Sequence, residues 1–104
     1  MLKITPDPKF TADVLITVPG VAEPVGVAMT FKYRSRKEML AFLEEEKEKQ
    51  LPETLCNDVV LGWSGFDAEF SKENLALFLE NYPAAPLEIW TEYNKQLYGS
   101  RVKN

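Results

Sequence analysis

The sequence predicts an α+β domain, with an N-terminal β-hairpin followed by a small bundle of about four helices. Apolar residues alternate with other residues in two N-terminal stretches, as they do in strands that bury one face. Beyond residue 35 the apolar spacing changes to i, i+3, i+4, which is typical of amphipathic helices. The 104 residues fit one domain. We therefore predict a single domain over residues 1–104, with the hairpin at about 12–33.

Two stretches define the predicted hairpin. In ADVLITVPG, Val14, Ile16 and Val18 share one face, and Leu15 lies on the other. In PVGVAMTFKY, every second residue from Val25 to Tyr33 is apolar or aromatic. The intervening PGVAEP contains two prolines and a glycine, which interrupt both strands and favour a loop longer than two residues.

The predicted hairpin is also a candidate self-association surface. An isolated two-stranded ribbon is marginally stable in water and leaves both edges open. Because the first strand has apolar residues on both faces, we expect helices to cover one face. A second chain would then cover the other face or extend an edge. The candidate residues are Val14, Leu15, Ile16, Val27 and Met29.

The first helix is predicted at about 35–50. Ser35 and Glu38, in SRKE, fit a capping box in which each side chain accepts the other residue's backbone N–H. The charged run EEEKEKQ at the end of the helix mixes both signs of charge, so we interpret it as solvent-exposed. The predicted apolar stripe consists of Met39, Leu40, Phe42 and Leu43.

The segment ETLCNDVVLGW permits two interpretations. The Val-Val-Leu run at 59–61 has high β-propensity and favours a strand. The i, i+4 spacing of Leu55 and Val59 favours a short helix. We choose a helix at about 53–61 that ends at Gly62, because glycine readily adopts the left-handed conformation that closes many helices.

Two further helices are predicted at about 71–82 and 86–98. Ser71 is a suitable N-cap for the first, and Pro86 fits the first turn of the second. The first carries an i, i+3, i+4, i+7 apolar set of Leu75, Phe78, Leu79 and Tyr82. The second carries a stripe of Ile89, Trp90, Tyr93 and Leu97.

Composition argues against several classes of function. The chain has no histidine, so a Ser-His-Asp or Cys-His site cannot form within it. Cys56 is the one cysteine, which leaves no disulfide or CxxC metal pair and predicts a small apolar core residue. No glycine-rich phosphate-binding motif and no membrane-length apolar run is present. We predict a protein that is not an enzyme, with no catalytic residue, metal or cofactor.

Charge gives little indication of an anionic partner. The net charge of −4 argues against a dedicated nucleic-acid or membrane-surface protein, which needs a basic face. The local basic cluster is interpreted as solvated surface and consists of Lys32, Arg34, Arg36 and Lys37.

The connection LGWSGFDAEFSKENL, from Leu61 to Leu75, is unusually aromatic. Its aromatic residues either fill the core between helices or form an exposed hot spot for a partner, where tryptophan is enriched. We favour the core for Trp63 and leave the orientation of Phe66 open. Phe70 completes the aromatic set just before the predicted cap at Ser71.

This connection and the residues after it resemble the tail assembly chaperones of long-tailed, siphophage-type bacteriophages. In that family a GW-x-G-hydrophobic turn precedes F-S-x-E-N-L, a Y-P helix end and a final helix. The sequence has GWSGF at 62–66, FSKENL at 70–75 and LENYP at 79–83, and the resemblance is strongest from about 59 to 93. The matching positions, which the resemblance implies are structural, are Gly62, Trp63, Gly65, Phe66, Phe70, Ser71, Leu75, Tyr82 and Pro83.

The resemblance implies a non-enzymatic role in the host bacterial cytoplasm. Members of this family bind the tape measure protein, keep it soluble and help to recruit tail-tube subunits, and they are absent from the mature virion. Many also occur in a longer form made by ribosomal frameshifting. The resemblance therefore implies three partners, the tape measure protein, the major tail-tube protein and a frameshifted longer form of the chain. Further copies of the chain are expected from the open hairpin edges, and the charge predicts no nucleic acid or membrane partner.

Two other functions stay open at this point. One is a structural tail-completion or connector protein of a phage particle. The other is a small regulatory binding module such as an antitoxin.

Overall fold

A computed structural model of the chain describes residues 1–99. The elements in chain order are β1 (Lys9–Ile16), β2 (Val25–Lys32), α1 (Arg36–Glu46), α2 (Leu51–Cys56), β3 (Val60–Ser64), α3 (Lys72–Asn81) and α4 (Ala85–Tyr98). The predicted α+β class is confirmed. The domain predicted over residues 1–104 also includes 100–104, which lie outside the described part of the chain.

The sheet has three antiparallel strands in the order β1-β2-β3. β1 and β2 form the hairpin, with Thr11 opposite Thr30. β3 pairs with the other side of β2, where Trp63 lies opposite Met29. Because β2 is the central strand, the expectation that Val27 and Met29 lie at an open edge is wrong.

The third strand corrects the helix predicted at 53–61. α2 ends at Cys56, and the chain continues as β3 from Val60. Between them, Asp58 has a positive φ of 58°, which redirects the chain. The β-propensity of the valines prevails because the free side of β2 offers a strand to pair with. Gly62 consequently lies inside β3 and does not end a helix.

One face of the sheet carries the core. α4 packs against β1, and α2 packs against α3 and α4. The side chains of the sheet that lie in this core are Ala12, Val14, Ile16, Val27, Met29, Phe31 and Val60. Leu15, on the opposite face, is 61% exposed, as the alternation of β1 predicts.

The helix caps follow the sequence. The Ser35 hydroxyl accepts the backbone N–H of Glu38, and the Glu38 carboxylate accepts that of Ser35, which confirms the capping box. Ser71 accepts the backbone N–H of Asn74 at the start of α3. A proline occupies the first turn of α4. These caps were predictable because the groups involved lie within four residues of each other.

The apolar stripe of α1 is only half buried. Met39 and Phe42 lie in the core, but Leu40 and Leu43 are exposed. The spacing predicted these two leucines on the buried face of the helix, but the helix exposes both to solvent.

The charged end of α1 is not uniformly solvated. Glu46 is 4% exposed, and its Oε2 accepts hydrogen bonds from Lys49 Nζ at 2.8 Å and from Asn57 Nδ2 at 3.0 Å. Because Asn57 directly follows α2, this carboxylate ties the end of α1 to the end of α2. The interpretation of EEEKEKQ as wholly solvent-exposed is wrong at this one residue.

We expect Glu46 to make folding stability depend on acidic pH. Burial alone would raise the pKa of Glu46, but hydrogen bonds from Lys49 and Asn57 outweigh it and hold the pKa below its usual 4.5. A carboxyl with a lowered folded-state pKa contributes stability above its unfolded pKa, which is lost as pH falls through the folded pKa. Denaturant unfolding at pH 7 and pH 3 should therefore show a smaller acid-induced loss in Glu46→Gln than in wild type. The exposed Glu45→Gln should keep the wild-type loss, and an undiminished loss in Glu46→Gln would contradict the assignment.

Candidate functional site

The turn after β3 brings the aromatic residues of the connection together. The rings of Trp63 and Phe66 stack with their centroids 3.8 Å apart. Gly65 lies between them with a φ of +93°, which turns the chain so that Phe66 returns to Trp63. Phe70 meets Trp63 edge-on, with the ring centroids 5.3 Å apart.

Gly65 is expected to be the more sensitive of the two glycines in GWSG. A Cβ at Gly65 would find room, since its nearest neighbour is a Val27 side-chain atom at 3.6 Å, so the cost is conformational. Gly65→Ala should lower the free energy of unfolding by roughly 1–2 kcal/mol, because a side chain disfavours this φ. Gly62 has no positive φ, and Gly62→Ala should change the free energy by less than about 0.5 kcal/mol. Urea unfolding of both variants checks this, and equal losses would contradict the account of the turn.

Helix α3 supplies the second wall of the site. The Phe78 ring contacts the rings of Trp63 and Phe66 edge-on, with centroid distances of 6.0 and 5.0 Å. The Tyr82 ring follows one turn later, 5.0 Å from Phe78. Leu75 is fully buried and fixes the helix against the core.

Hydrogen bonds from side chains to the backbone hold the connection in place. Trp63 Nε1 donates to the carbonyl oxygen of Ala68 at 2.9 Å. Asn74 Nδ2 donates to the carbonyl oxygen of Glu69 at 2.9 Å. Because these bonds fix the loop before any partner arrives, the rings form a preorganised surface.

The rings leave an open groove of about 190 Å³, which we call the aromatic groove. Its volume is below the roughly 300–1,000 Å³ of pockets for drug-sized ligands, so it fits one or two side chains of a protein partner better than a cofactor. Leu77, on α3, lies at the groove and is 59% exposed. The lining residues are Trp63, Phe66, Asp67, Ala68, Asn74, Leu77, Phe78, Asn81 and Tyr82.

Phe66 both packs against the core and stays partly exposed at the groove. Its ring stacks on Trp63 and meets Phe78, so it packs against the core. The same ring is only partly buried and lines the aromatic groove.

The rim of the groove is acidic. Asp67 lies in its lining, and on α3 the exposed Glu73 and Glu80 lie one turn to either side of Leu77. The nearby Lys72 pairs with Asp58, its Nζ lying 3.6 Å from the carboxylate. A partner with lysine or arginine flanking its apolar residues therefore suits this rim.

The structure does not form one surface from the five predicted self-association residues. Val14, Ile16, Val27 and Met29 are all core residues, and only Leu15 is exposed. The open feature at this place is the backbone edge of β1, which has no neighbouring strand among residues 1–99.

Sequence reasoning missed Arg34, whose exposed fraction is 8%. Its Nη1 donates to the carbonyl oxygen of Asp58 and to Tyr93 Oη, each at 3.0 Å, and its guanidinium lies 3.7 Å from the centre of the Phe42 ring. Tyr93 Oη donates in turn to the carbonyl oxygen of Lys32 at 2.8 Å, and burial raises the pKa of Tyr93. The interpretation of Arg34 as solvated surface is wrong, and no local pattern marked its burial.

The described residues show neither a reactive thiol nor a metal-ligand cluster. Cys56 is half-buried, and burial raises the pKa of its thiol, so the thiolate is disfavoured. Across residues 1–99, no group of three or more cysteine or acidic side chains is placed to hold a metal ion. No helix within the same range is long and apolar enough to cross a membrane.

Comparison with protein families identifies the chain. A sequence model of the phage tail assembly chaperones matches residues 1–104. The chain belongs to this phage tail assembly chaperone family. The resemblance seen in the GWSGF, FSKENL and LENYP motifs is thereby confirmed and extends over the whole chain. Neither the curated proteins nor the solved structures yielded a match.

Membership gives this tail assembly chaperone a general role. A chaperone family indicates a non-enzymatic function in phage tail morphogenesis. It also implies binding to phage tail proteins.

Proposed function

We propose that this tail assembly chaperone binds the tape measure protein through the aromatic groove and keeps it soluble. The observation that carries the proposal is the preorganised groove of Trp63, Phe66, Phe78 and Tyr82, with the exposed Leu77 beside it. A long helical client exposes apolar side chains at i, i+3 and i+4, and such a stripe suits recognition of a helix in a groove. The acidic rim selects client segments in which basic residues flank the stripe.

The energetics favour many weak contacts along one client. Burying one large apolar side chain stabilises a complex by about 1.5–3 kcal/mol, which is modest after the cost of association. Copies that also contact each other bind a repetitive client with avidity, because each later contact is effectively intramolecular. Self-association of the chain is therefore part of the proposal.

The remaining parts of the proposal extend the general role of the family. The chain acts in the host bacterial cytoplasm, helps to recruit the major tail-tube protein, is accompanied by a frameshifted longer form and is absent from the mature virion. A structural tail component would instead be found in purified particles. Mass spectrometry of virions separates the two functions.

Co-expression tests the client directly. The tape measure protein of the same phage genome is expressed with and without this chain, and the soluble fraction is measured. The proposal predicts that the tape measure protein is soluble only in the presence of the chain. Equal solubility in both cultures would refute the chaperone function.

A further inference from the structure

Alternate residues of β1 direct their backbone groups away from the sheet. The N–H of Tyr33 donates to the carbonyl oxygen of Pro8, on the β1 side, whereas the N–H of Lys32 donates to that of Val59, on the β3 side. Every second residue of β2, counted back from Tyr33, therefore forms its backbone hydrogen bonds with β1. The β1 residues opposite these direct their own backbone N–H and C=O groups toward β2. The residues of β1 whose N–H and C=O face outward are Lys9, Thr11, Asp13 and Leu15.

One end of this edge is already occupied. Thr17 is the next outward-facing residue, and its N–H donates to the Glu88 carboxylate at 3.0 Å. Apart from the pairing of β1 with β2, no backbone hydrogen bond among residues 1–99 involves Thr11, Asp13 or Leu15. The open part of the edge therefore ends before Thr17.

The open part carries charges that pair with no residue in the described part of the chain. Lys9 lies directly opposite Lys32, and like charges in this position destabilise a sheet. Asp13 lies opposite Ala28. No ion pair between described residues involves Lys9, Lys32 or Asp13. A cation and an anion thus flank Thr11 on the exposed face, each two residues away.

We propose that two copies of the chain associate by pairing their β1 strands antiparallel, in the register centred on Thr11. This register sets Lys9 of each copy opposite Asp13 of the other, so both charges gain partners. Thr11 meets Thr11 of the second copy, which continues the contact between the Thr11 and Thr30 hydroxyls, 3.1 Å apart in each chain. The inference rests on the self-association in the proposed function and names its surface.

Other symmetric registers are less favourable. A register centred on Asp13 sets two carboxylates opposite each other. A register centred on Leu15 needs the N–H of Thr17, which the Glu88 carboxylate holds. The Thr11-centred pair is isologous and closed, and it removes the open β1 edge from both copies.

Charge reversal with mixing tests the register. In Lys9→Asp the pair becomes two carboxylates, and in Asp13→Lys it becomes two ammonium groups, so each variant alone repels its own copy. A mixture of the two variants restores an opposite-charge pair at both positions. We expect each variant alone to dimerise about tenfold or more weakly than wild type, and the mixture to recover wild-type affinity.

Sedimentation velocity over a concentration series measures these affinities, and circular dichroism confirms that the variants are folded. Lys37→Asp and Glu45→Lys are the matched controls, because each makes the same charge change at an exposed position of α1, whereas β1 packs against β2 and α4. Both controls should dimerise like wild type.

The outcomes separate the register from the proposed function. If wild type associates but the reversals do not weaken it, or the mixture is no tighter than each variant alone, the register is wrong and self-association stands. If wild type is monomeric at every concentration, both the register and the proposed self-association are wrong. If the reversals reduce capture of the tape measure protein without changing association, the edge binds the client and the proposal fails.

Discussion

Replacing Arg34 with alanine should lower the free energy of unfolding by about 3 kcal/mol, since hydrogen bonds to charged groups contribute about 1.5–3 kcal/mol and cation–π contacts about 0.5–2 kcal/mol. The guanidinium joins the end of β2 to Phe42 of α1, to Tyr93 of α4 and to the carbonyl oxygen of Asp58 before β3. Truncation leaves that carbonyl oxygen without the donor and uncovers the face of the Phe42 ring. The loss is large because one side chain links four parts of the chain.

Arg36→Ala is the matched control for Arg34→Ala. Arg36 is exposed at the start of α1, two residues away, and its removal should change the free energy by no more than about 0.5 kcal/mol. Guanidinium chloride unfolding of both variants measures the difference. Similar values for the two arginines would contradict the structural role of Arg34.

Phe31→Ala should lower the free energy of unfolding by about 3–5 kcal/mol, which is the usual cost of removing a buried phenylalanine side chain. Phe31 is fully buried on the central strand, with its ring centroid 5.7 Å from that of Phe10 and 5.3 Å from that of Tyr93. The cavity would lie between β1, β2 and α4, where the backbone of the central strand cannot move to fill it.

The exposed Leu40→Ala is the comparison for Phe31→Ala. Leu40 is 60% exposed on α1, so its truncation should change stability by no more than about 0.5 kcal/mol. Chemical unfolding at one protein concentration tests both variants. If Leu40→Ala lost as much stability as Phe31→Ala, the exposed position of Leu40 on α1 would be contradicted.

Features set by local chemistry were predictable from the sequence. The alternation around Val14 and Val27 predicted the hairpin, and the caps at Ser35 and Ser71 predicted two helix starts, because each depends on residues close in the chain. The aromatic cluster was also visible as a set of rings. Its geometry was not, because the return of Phe66 to Trp63 depends on the turn at Gly65.

Features set by distant partners were not predictable in the same way. β3 forms because β2 has a free side, and no local signal distinguishes Val60 in a strand from Val60 in a short helix. The burial of Arg34 and Glu46 depends on acceptors and donors from other elements of the fold. The direction in which the backbone N–H and C=O groups of β1 point was not predictable either. It depends on the register of β1 against β2, which the sequence of one strand does not reveal.

Client capture by two leucine variants tests whether the aromatic groove binds the tape measure protein. Leu77 at the aromatic groove and Leu40 on α1 are similarly exposed, at 59% and 60%, and of the two only Leu77 lines the groove. Leu77→Gln and Leu40→Gln are each co-expressed with the tagged tape measure protein, and the chaperone recovered in soluble complex is quantified. Losing one buried leucine contact should weaken each contact about tenfold or more, so Leu77→Gln should recover far less complex and Leu40→Gln the wild-type amount. Equal recovery from the two folded variants would contradict binding in the groove.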